Sequence, residues 1–335
     1  MSDRQNQKQK PTPEADVPPP IRQDPEAALD FSIAVEDNGY AWWYLDAVSD
    51  DGVYGLTLIV FIGSVFSPYY ATARRLGSAS PENHCAMNAI LYGPGVGRWS
   101  MTERGRGSLS RDSHHLAIGP SRIDWDGQRL VAQIEEVTAP LPRRLRGSIT
   151  LDPQILYAPW FTLDSREDHQ WVPIAPRSRV RVEFQNPALA FDGHAYFDSN
   201  RGRVPLEQSF ERWNWCRTLH GRRVLYDVTD RYGGGAHLSL GFGDDGRARH
   251  VPMPPTAELP VTTWWRIARP THSDNGQARL LRTLVDAPFY SRSEVGLELD
   301  GEAVTAVHES IELNRFANPL VQYLLLPFRT PRRFF

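Results

Sequence analysis

Ala41-Trp42-Trp43-Tyr44-Leu45-Asp46-Ala47 opens the stretch that decides the fold. It continues through the polar turn Ser49-Asp50-Asp51-Gly52, an apolar run from Val53 to Gly63, and Ser64-Val65-Phe66-Ser67-Pro68-Tyr69-Tyr70. Three consecutive large aromatics suit a pleated, half-buried surface, so the stretch reads as strand. Strand side chains alternate, which sends Trp42 and Tyr44 one way and Trp43 the other. A sheet built on this stretch carries a wall of rings able to grip an apolar, elongated ligand.

The same texture runs outward from it. Strand-like segments at 42–48, 53–61, 86–92, 116–124, 129–137 and 148–151 are separated by turn residues, including the hairpin pair Asp126-Gly127. Pro173-Ile174-Ala175-Pro176 reads as a seam. A second series follows at 180–184, 194–198, 212–219, 223–228, 237–241, 262–266, 294–299, 303–313 and 323–326. Helical periodicity is scarce, with short helices expected only at 25–29 and 280–286. The prediction is an all-β chain in two halves, 25–176 and 177–335, of sandwich or barrel type. Residues 1–24, rich in Gln, Lys and Pro, are expected to be a disordered tail.

Composition excludes several classes of function. The net charge of -3 lacks the basic footprint of a nucleic-acid binder. Cys85 and Cys216 are too few and too far apart for a disulfide framework or a cysteine zinc site. His114 and His115 are adjacent and point to opposite faces of a strand, so no metal is expected. No signal peptide and no run of about 18 apolar residues is present, which predicts a cytoplasmic protein that does not span a bilayer. Gly241-Phe242-Gly243-Asp244-Asp245-Gly246 fits the spacing of a dinucleotide loop and follows a strand, but it leads into Arg247-Ala248-Arg249-His250-Val251-Pro252, not a helix.

Several blocks in a fixed order carry a resemblance. His84-Cys85-Ala86-Met87-Asn88 leads to Leu91-Tyr92-Gly93-Pro94, Met101-Thr102-Glu103-Arg104-Gly105 and Ile134-Glu135-Glu136-Val137. Gly193-His194-Ala195-Tyr196-Phe197-Asp198-Ser199-Asn200, Trp213-Asn214-Trp215, Leu225-Tyr226-Asp227-Val228, Ala287-Pro288-Phe289-Tyr290-Ser291-Arg292 and His308-Glu309-Ser310 follow. From about Tyr40 to Arg333 the chain resembles the carotenoid 1,2-hydratases, or hydroxyneurosporene synthases. The resemblance implies two lipocalin-like β halves, no cofactor, and addition of water to the terminal C1=C2 bond of acyclic carotenoids such as neurosporene and lycopene. It also implies a phototrophic bacterium and peripheral association with its inner or photosynthetic membrane.

Such a hydration needs a carboxylic acid kept protonated by an apolar setting, aromatic faces around a tertiary cation, and a group that positions water. Asp198 and Asp227 are the candidate donors, with Asp227 preferred; the other carboxylate or Tyr226 would position water, and His194 is a further candidate base. Trp213 and Trp215 lie two apart and share a face, as do Tyr196 and Asp198, whereas Tyr226 and Asp227 face opposite sides. Trp213, Trp215, Tyr196 and Trp43 are the expected substrate-binding residues. An Asp at a strand end can equally cap a turn or pair with Arg201 or Arg223. The Leu324-Leu325-Leu326-Pro327-Phe328-Arg329 tail, with Arg332, Arg333, Phe334 and Phe335, fits docking on an anionic bilayer or a plain closing segment. A non-catalytic polyene carrier, a related cyclase or lyase, and a β-sandwich glycosidase are the competing functions.

Overall fold

The computed structural model describes residues 29–243 and 247–332. The expected tail at 1–24 and nearly all of the expected helix at 25–29 lie outside the described residues. The first sheet is built from β1 (Tyr40–Ser49), β2 (Gly55–Ile62), β3 (Ala86–Tyr92), β4 (Arg98–Ser100), β5 (Leu109–Arg111), β6 (His115–Ile118), β7 (Ser121–Trp125), β8 (Leu130–Val137), β9 (Arg144–Pro153), β10 (Phe161–Thr162), β11 (His169–Asn186) and β12 (Ala188–Gly202). Its order is β4-β3-β2-β1-β12-β11-β9-β8-β7-β6-β5, with β10 pairing β11. The second sheet contains β13 (Phe210–Thr218), β14 (Arg223–Asp230), β15 (His237–Phe242) and β16 (Ala248–His250). The small pair β17 (Thr256–Leu259) and β18 (Arg269–His272) follows, and then β19 (Arg279–Asp286), β20 (Tyr290–Leu299) and β21 (Glu302–Glu312) complete the second sheet. The order there is β16-β15-β14-β13-β21-β20-β19.

The opening stretch explains how the sheets meet. Every residue of β1 is buried, because the strand is a wall shared by two cores. Ala41, Trp43, Leu45 and Ala47 pack into the core around which the first sheet curls. Tyr40, Trp42, Tyr44 and Val48 pack on the opposite side, against Trp213, Trp215, Tyr226 and Val228 of the second sheet. The β1–β2 turn has Gly52 at φ +71°, a left-handed conformation that glycine adopts without Cβ strain. Asp51 fixes that turn by accepting from the Val53 amide at 2.9 Å.

Several expected elements take another form. Ser67-Pro68-Tyr69-Tyr70 does not continue the sheet. Ser67 Oγ accepts from the amides of Tyr69 and Tyr70, and Pro68 sits in the first turn, so helix α1 (Pro68–Leu76) begins there. The run expected at 116–124 is two strands, split by a turn with Gly119 at φ +65°. Residues 280–286, expected to be helical, lie in β19, whose alternating exposure is that of a strand. Residues 262–266 form a turn in which Thr262 Oγ1 accepts from the Ile267 amide at 3.0 Å. After the short helices α2 (Leu206–Ser209) and α3 (Leu313–Phe316), the expected strand at 323–326 is replaced by α4 (Pro319–Tyr323) and a 3-10 turn. Asn318 caps α4 by accepting from the Leu320 amide, and Pro319 opens it.

Pro173 and Pro176, read above as the seam, lie inside β11, whose pairing with β12 shifts register on either side of Ala175. The first sheet therefore runs on to Gly202, and the change of sheet falls between Gly202 and Phe210. Of the apparent dinucleotide loop, Gly241 and Phe242 end β15, residues 244–246 lie outside the described residues, and the next described element is β16, antiparallel to β15, not a helix.

Candidate active site

Cross-strand register assembles the site. In an antiparallel pair, directly opposed residues share a face. On the first sheet Asp198 lies opposite Tyr44, Asn200 opposite Trp42, and Tyr196 opposite Asp46. Trp171 of β11 lies opposite Asn200. On the second sheet Tyr226 opposes Trp215, Trp215 opposes Glu309, and Glu309 opposes Arg292, which makes one row across four strands. Stacking the sheets turns these rows toward each other around a cavity of about 120 Å³.

The cavity wall is dominated by rings and aliphatic groups. Trp42, Tyr44, Phe66, Trp213, Trp215 and Tyr226 contribute rings, while Ile59, Ile90, Ile311 and Leu325 close the gaps. Ring centroids of Trp42 and Trp213, one from each sheet, stand 6.2 Å apart, and those of Tyr44 and Trp215 stand 5.5 Å apart. Asp198, Asn200 and Glu309 are among the few polar groups on the wall. An apolar cavity of about 150 Å³ takes one benzene. The space here therefore suits one small hydrocarbon end group, not a whole polyene.

Asp198 is buried and its two oxygens differ. Oδ2 accepts from Trp171 Nε1 and from the Tyr196 hydroxyl, each at 2.8 Å. Oδ1 is buried with no hydrogen-bond partner. Burial pushes the carboxyl up to about 7, against the downward pull of the Trp171 and Tyr196 hydrogen bonds. Such a group holds its proton near neutrality, and the partnerless oxygen is where that proton can be offered.

Asp227, the donor preferred from sequence, lies elsewhere. It sits on the face opposite Tyr226, where Oδ1 meets His237 Nδ1 at 2.6 Å and Oδ2 meets His272 Nε2 at 3.1 Å. Burial raises its carboxyl, but the hydrogen bonds and charges of the two imidazoles outweigh this and hold it below the usual range. It is a carboxylate at neutral pH and does not line the cavity. Its role is pinning β14 to β18 and to the start of β15. His194 also lies outside the cavity, within 3.2 Å of Arg179 Nη1 and edge-on to His220. Burial, then His220 and Arg179, lower its pKa, so it is neutral at pH 7. Trp43 faces the other core, edge-on to Phe31 at 5.2 Å. Tyr226 lines the cavity and donates to Asn200 Oδ1 at 2.9 Å. Tyr196 stands behind the wall, holding Asp198.

The site includes residues outside the expected set, Trp42, Tyr44, Trp171 and Glu309 among them. Trp171, which hydrogen-bonds Asp198, stands next to the prolines that were read as a seam. Glu309, named from sequence only within the His308-Glu309-Ser310 block, lines the cavity with its Oε1 accepting from Tyr44 at 2.8 Å and from Arg292. Its strand β21 has no sequence signal that places it beside β13. Among the described residues, no group of three or more His, Cys, Asp or Glu side chains is arranged to hold a metal.

The chain is similar to several known proteins. The acyclic carotenoid 1,2-hydratase of Thiocapsa roseopersicina is 53% identical over 312 residues, 92% of this chain and 77% of that protein. The acyclic carotenoid 1,2-hydratase of Rubrivivax gelatinosus is 46% identical over 309 residues, 90% of this chain and 76% of that protein. The crystal structure of a protein assigned as AttH, from Nitrosomonas europaea, superposes with a TM-score of 0.56 at 13% identity, covering 89% of this chain and 98% of the other; at that identity it bears on the fold alone. The model of the family described as Carotenoid hydratase CrtC matches residues 58–335, so the chain belongs to the carotenoid hydratase family.

Proposed function

We propose that this chain hydrates the terminal C1=C2 double bond of an acyclic carotenoid, neurosporene or lycopene or their 1-hydroxy derivatives, as a cofactor-independent hydro-lyase. The observation that carries the reading is Asp198: a carboxyl whose hold on its proton is raised by burial, with one partnerless oxygen, on the wall of an aromatic cavity sized for one end group. Asp198 gives its proton to C2, and the electron pair of the double bond leaves a tertiary cation at C1. The faces of Trp42, Trp213, Trp215 and Tyr226 surround that position, and a desolvated cation–ring contact is worth ~2 kcal/mol. Water adds at C1 and loses a proton, so the product is the alkene plus one water. Trp171 and Tyr196 stabilise the carboxylate that the donor leaves behind.

Incubating the purified protein with lycopene or neurosporene in lipid vesicles tests this directly. The expected product is the 1-hydroxy carotenoid, heavier by one water for each end that reacts. Polyene bound but recovered unchanged would make the protein a carrier.

The cavity takes only the end of a chain about as long as the ~30 Å bilayer core, so the remainder stays in lipid and the protein must meet a membrane surface. The C-terminal segment is the proposed contact. Leu325 closes the cavity from within, while Leu320, Leu324 and Phe328 around it are 73%, 46% and 48% exposed. Leu76, at the end of α1, is 85% exposed, and α1 meets α4 through Thr72 and Tyr323 at 3.0 Å. The cations read as part of this patch have other partners: Arg329 is buried near Glu103 and Arg332 pairs with it, while Arg333, Phe334 and Phe335 lie outside the described residues. Apolar insertion is therefore the main contribution. Among the described residues no helix is long and apolar enough to cross a membrane. In a flotation assay the protein is expected to rise with liposomes, and Leu320→Asp/Leu324→Asp is expected to stay in the dense fraction. A parent protein that remains below the vesicles at low salt would count against this contact.

A further inference from the structure

The acid at Asp198 accounts for half of a hydration; the proton released by the attacking water needs an acceptor. Glu309 stands on the second sheet, across the cavity from Asp198 on the first. The Arg292 guanidinium, buried behind the wall, bonds its Oε1 directly, and the Tyr44 hydroxyl donates to the same oxygen at 2.8 Å while accepting from Arg292 at 2.7 Å. The guanidinium makes a charge-assisted hydrogen bond to that oxygen and orients the side chain. Both of these bonds fall on Oε1, the Tyr290 phenol is a further hydrogen-bond partner of the carboxylate, and the side chain keeps 13% exposure on the cavity wall, where water can reach it. Arg292 is also bonded to Asp46, so it is fixed in place whether or not Glu309 moves.

We infer that Glu309 is the base that orients the attacking water and takes its proton. This rests on the hydration reading above. The step balances. Asp198 transfers H⁺ to C2, water oxygen bonds to C1, and Glu309 accepts the water proton. A proton then passes from Glu309 back to Asp198 by way of solvent, and no oxidant or reductant is consumed. Tyr44 bridges the two halves: it lies opposite Asp198 in the sheet and hydrogen-bonds Glu309. The phenol of Tyr290, also on the wall, is raised well above its usual pKa by burial first and then by Glu309, so it stays a neutral neighbour that does not compete as base.

The test follows the fate of the cation. In D₂O, Asp198 delivers deuterium to C2, and the cation either captures water or returns to alkene carrying deuterium. Glu309→Gln keeps the shape and the acceptor for Tyr44 but removes the base. Alcohol formation is expected to fall at least ~10²-fold, the low end for general base catalysis. The ratio of deuterated alkene to alcohol is expected to rise at least tenfold over the parent. A ratio equal to the parent's, whether the alcohol is retained or both products fall together, overturns the inference. If Glu309→Gln does not fold, Glu309→Asp retains the charge on Arg292 and withdraws the carboxylate by about 1.5 Å, and the same ratio is read. Asp198→Asn separates the two claims. Normal deuterated alkene and alcohol from that variant would remove Asp198 as the acid, whereas no alcohol from the parent protein would sink the hydration reading itself. Neither product from it, with a parental ratio in Glu309→Gln, would sink only the assignment of Glu309.

Discussion

Asp198→Asn is expected to fold, to bind polyene and to lose hydration by ~10³-fold or more, the scale on which a positioned general acid contributes. The amide keeps an oxygen to accept from Trp171 and Tyr196 but has no proton acidic enough to give to an alkene. The parent's rate should fall as pH rises through about 7, where the donor ionises. Stability follows the same titration. The folded carboxyl sits near 7 and the unfolded one near 3.9, so the fold holds the proton more tightly. The stability linked to Asp198 is complete below pH ~4 and falls as pH rises toward 7, by on the order of 4 kcal/mol. Asp198→Asn should therefore unfold at higher denaturant than the parent at pH 8, and lose that advantage at pH 4. Asp227→Asn, on the outer face, should retain turnover. Parental activity in Asp198→Asn, measured by product formation, would remove Asp198 from the mechanism.

The choice between those two aspartates shows what the sequence could reveal. Strand parity paired Tyr196 with Asp198 and Trp213 with Trp215, and it put Asp227 opposite Tyr226, as the sheets have them. Parity cannot say which face meets a cavity. That depends on which sheet stacks on which, and here the aromatic face of β14 is inward, so Asp227 goes outward to His237 and His272. Trp43 illustrates the same limit, since β1 is buried on both sides and either side satisfied its burial pattern. The Trp215, Glu309 and Arg292 row joins strands far apart in sequence, and its register exists only after the second sheet has formed. Ser67-Pro68 is a local helix-start signal of the kind a sequence does carry, and the helix at Pro68–Leu76, absent from the expected elements, begins on it.

Arg292→Met is expected to destabilise the protein by about 3–5 kcal/mol in urea melts at pH 7, the cost of removing one member of a buried ionic network. Asp46 and Arg217 have fully buried side chains, and Arg292 is 1% exposed. Arg217 Nε meets Asp46 Oδ2 at 2.5 Å, and Arg292 bonds Asp46 Oδ1 and Glu309. Deleting Arg292 leaves Glu309 without its guanidinium and Asp46 with only one. Arg179→Met, which breaks the exposed pair with Asp50, provides the contrast and should cost at most ~1 kcal/mol. Position makes the buried network more than a local pair. Asp46 belongs to β1 of the first sheet, whereas Arg217, Arg292 and Glu309 belong to β13, β20 and β21 of the second. The ions therefore fix the register between two sheets whose other contacts are adaptable apolar packing, and that register sets the separation of Asp198 from Glu309. Asp46→Asn should cost less when added to Arg292→Met than when made alone, because the two share one interaction. Additive losses would mean that water reaches the ions and that the sheets are aligned by packing alone.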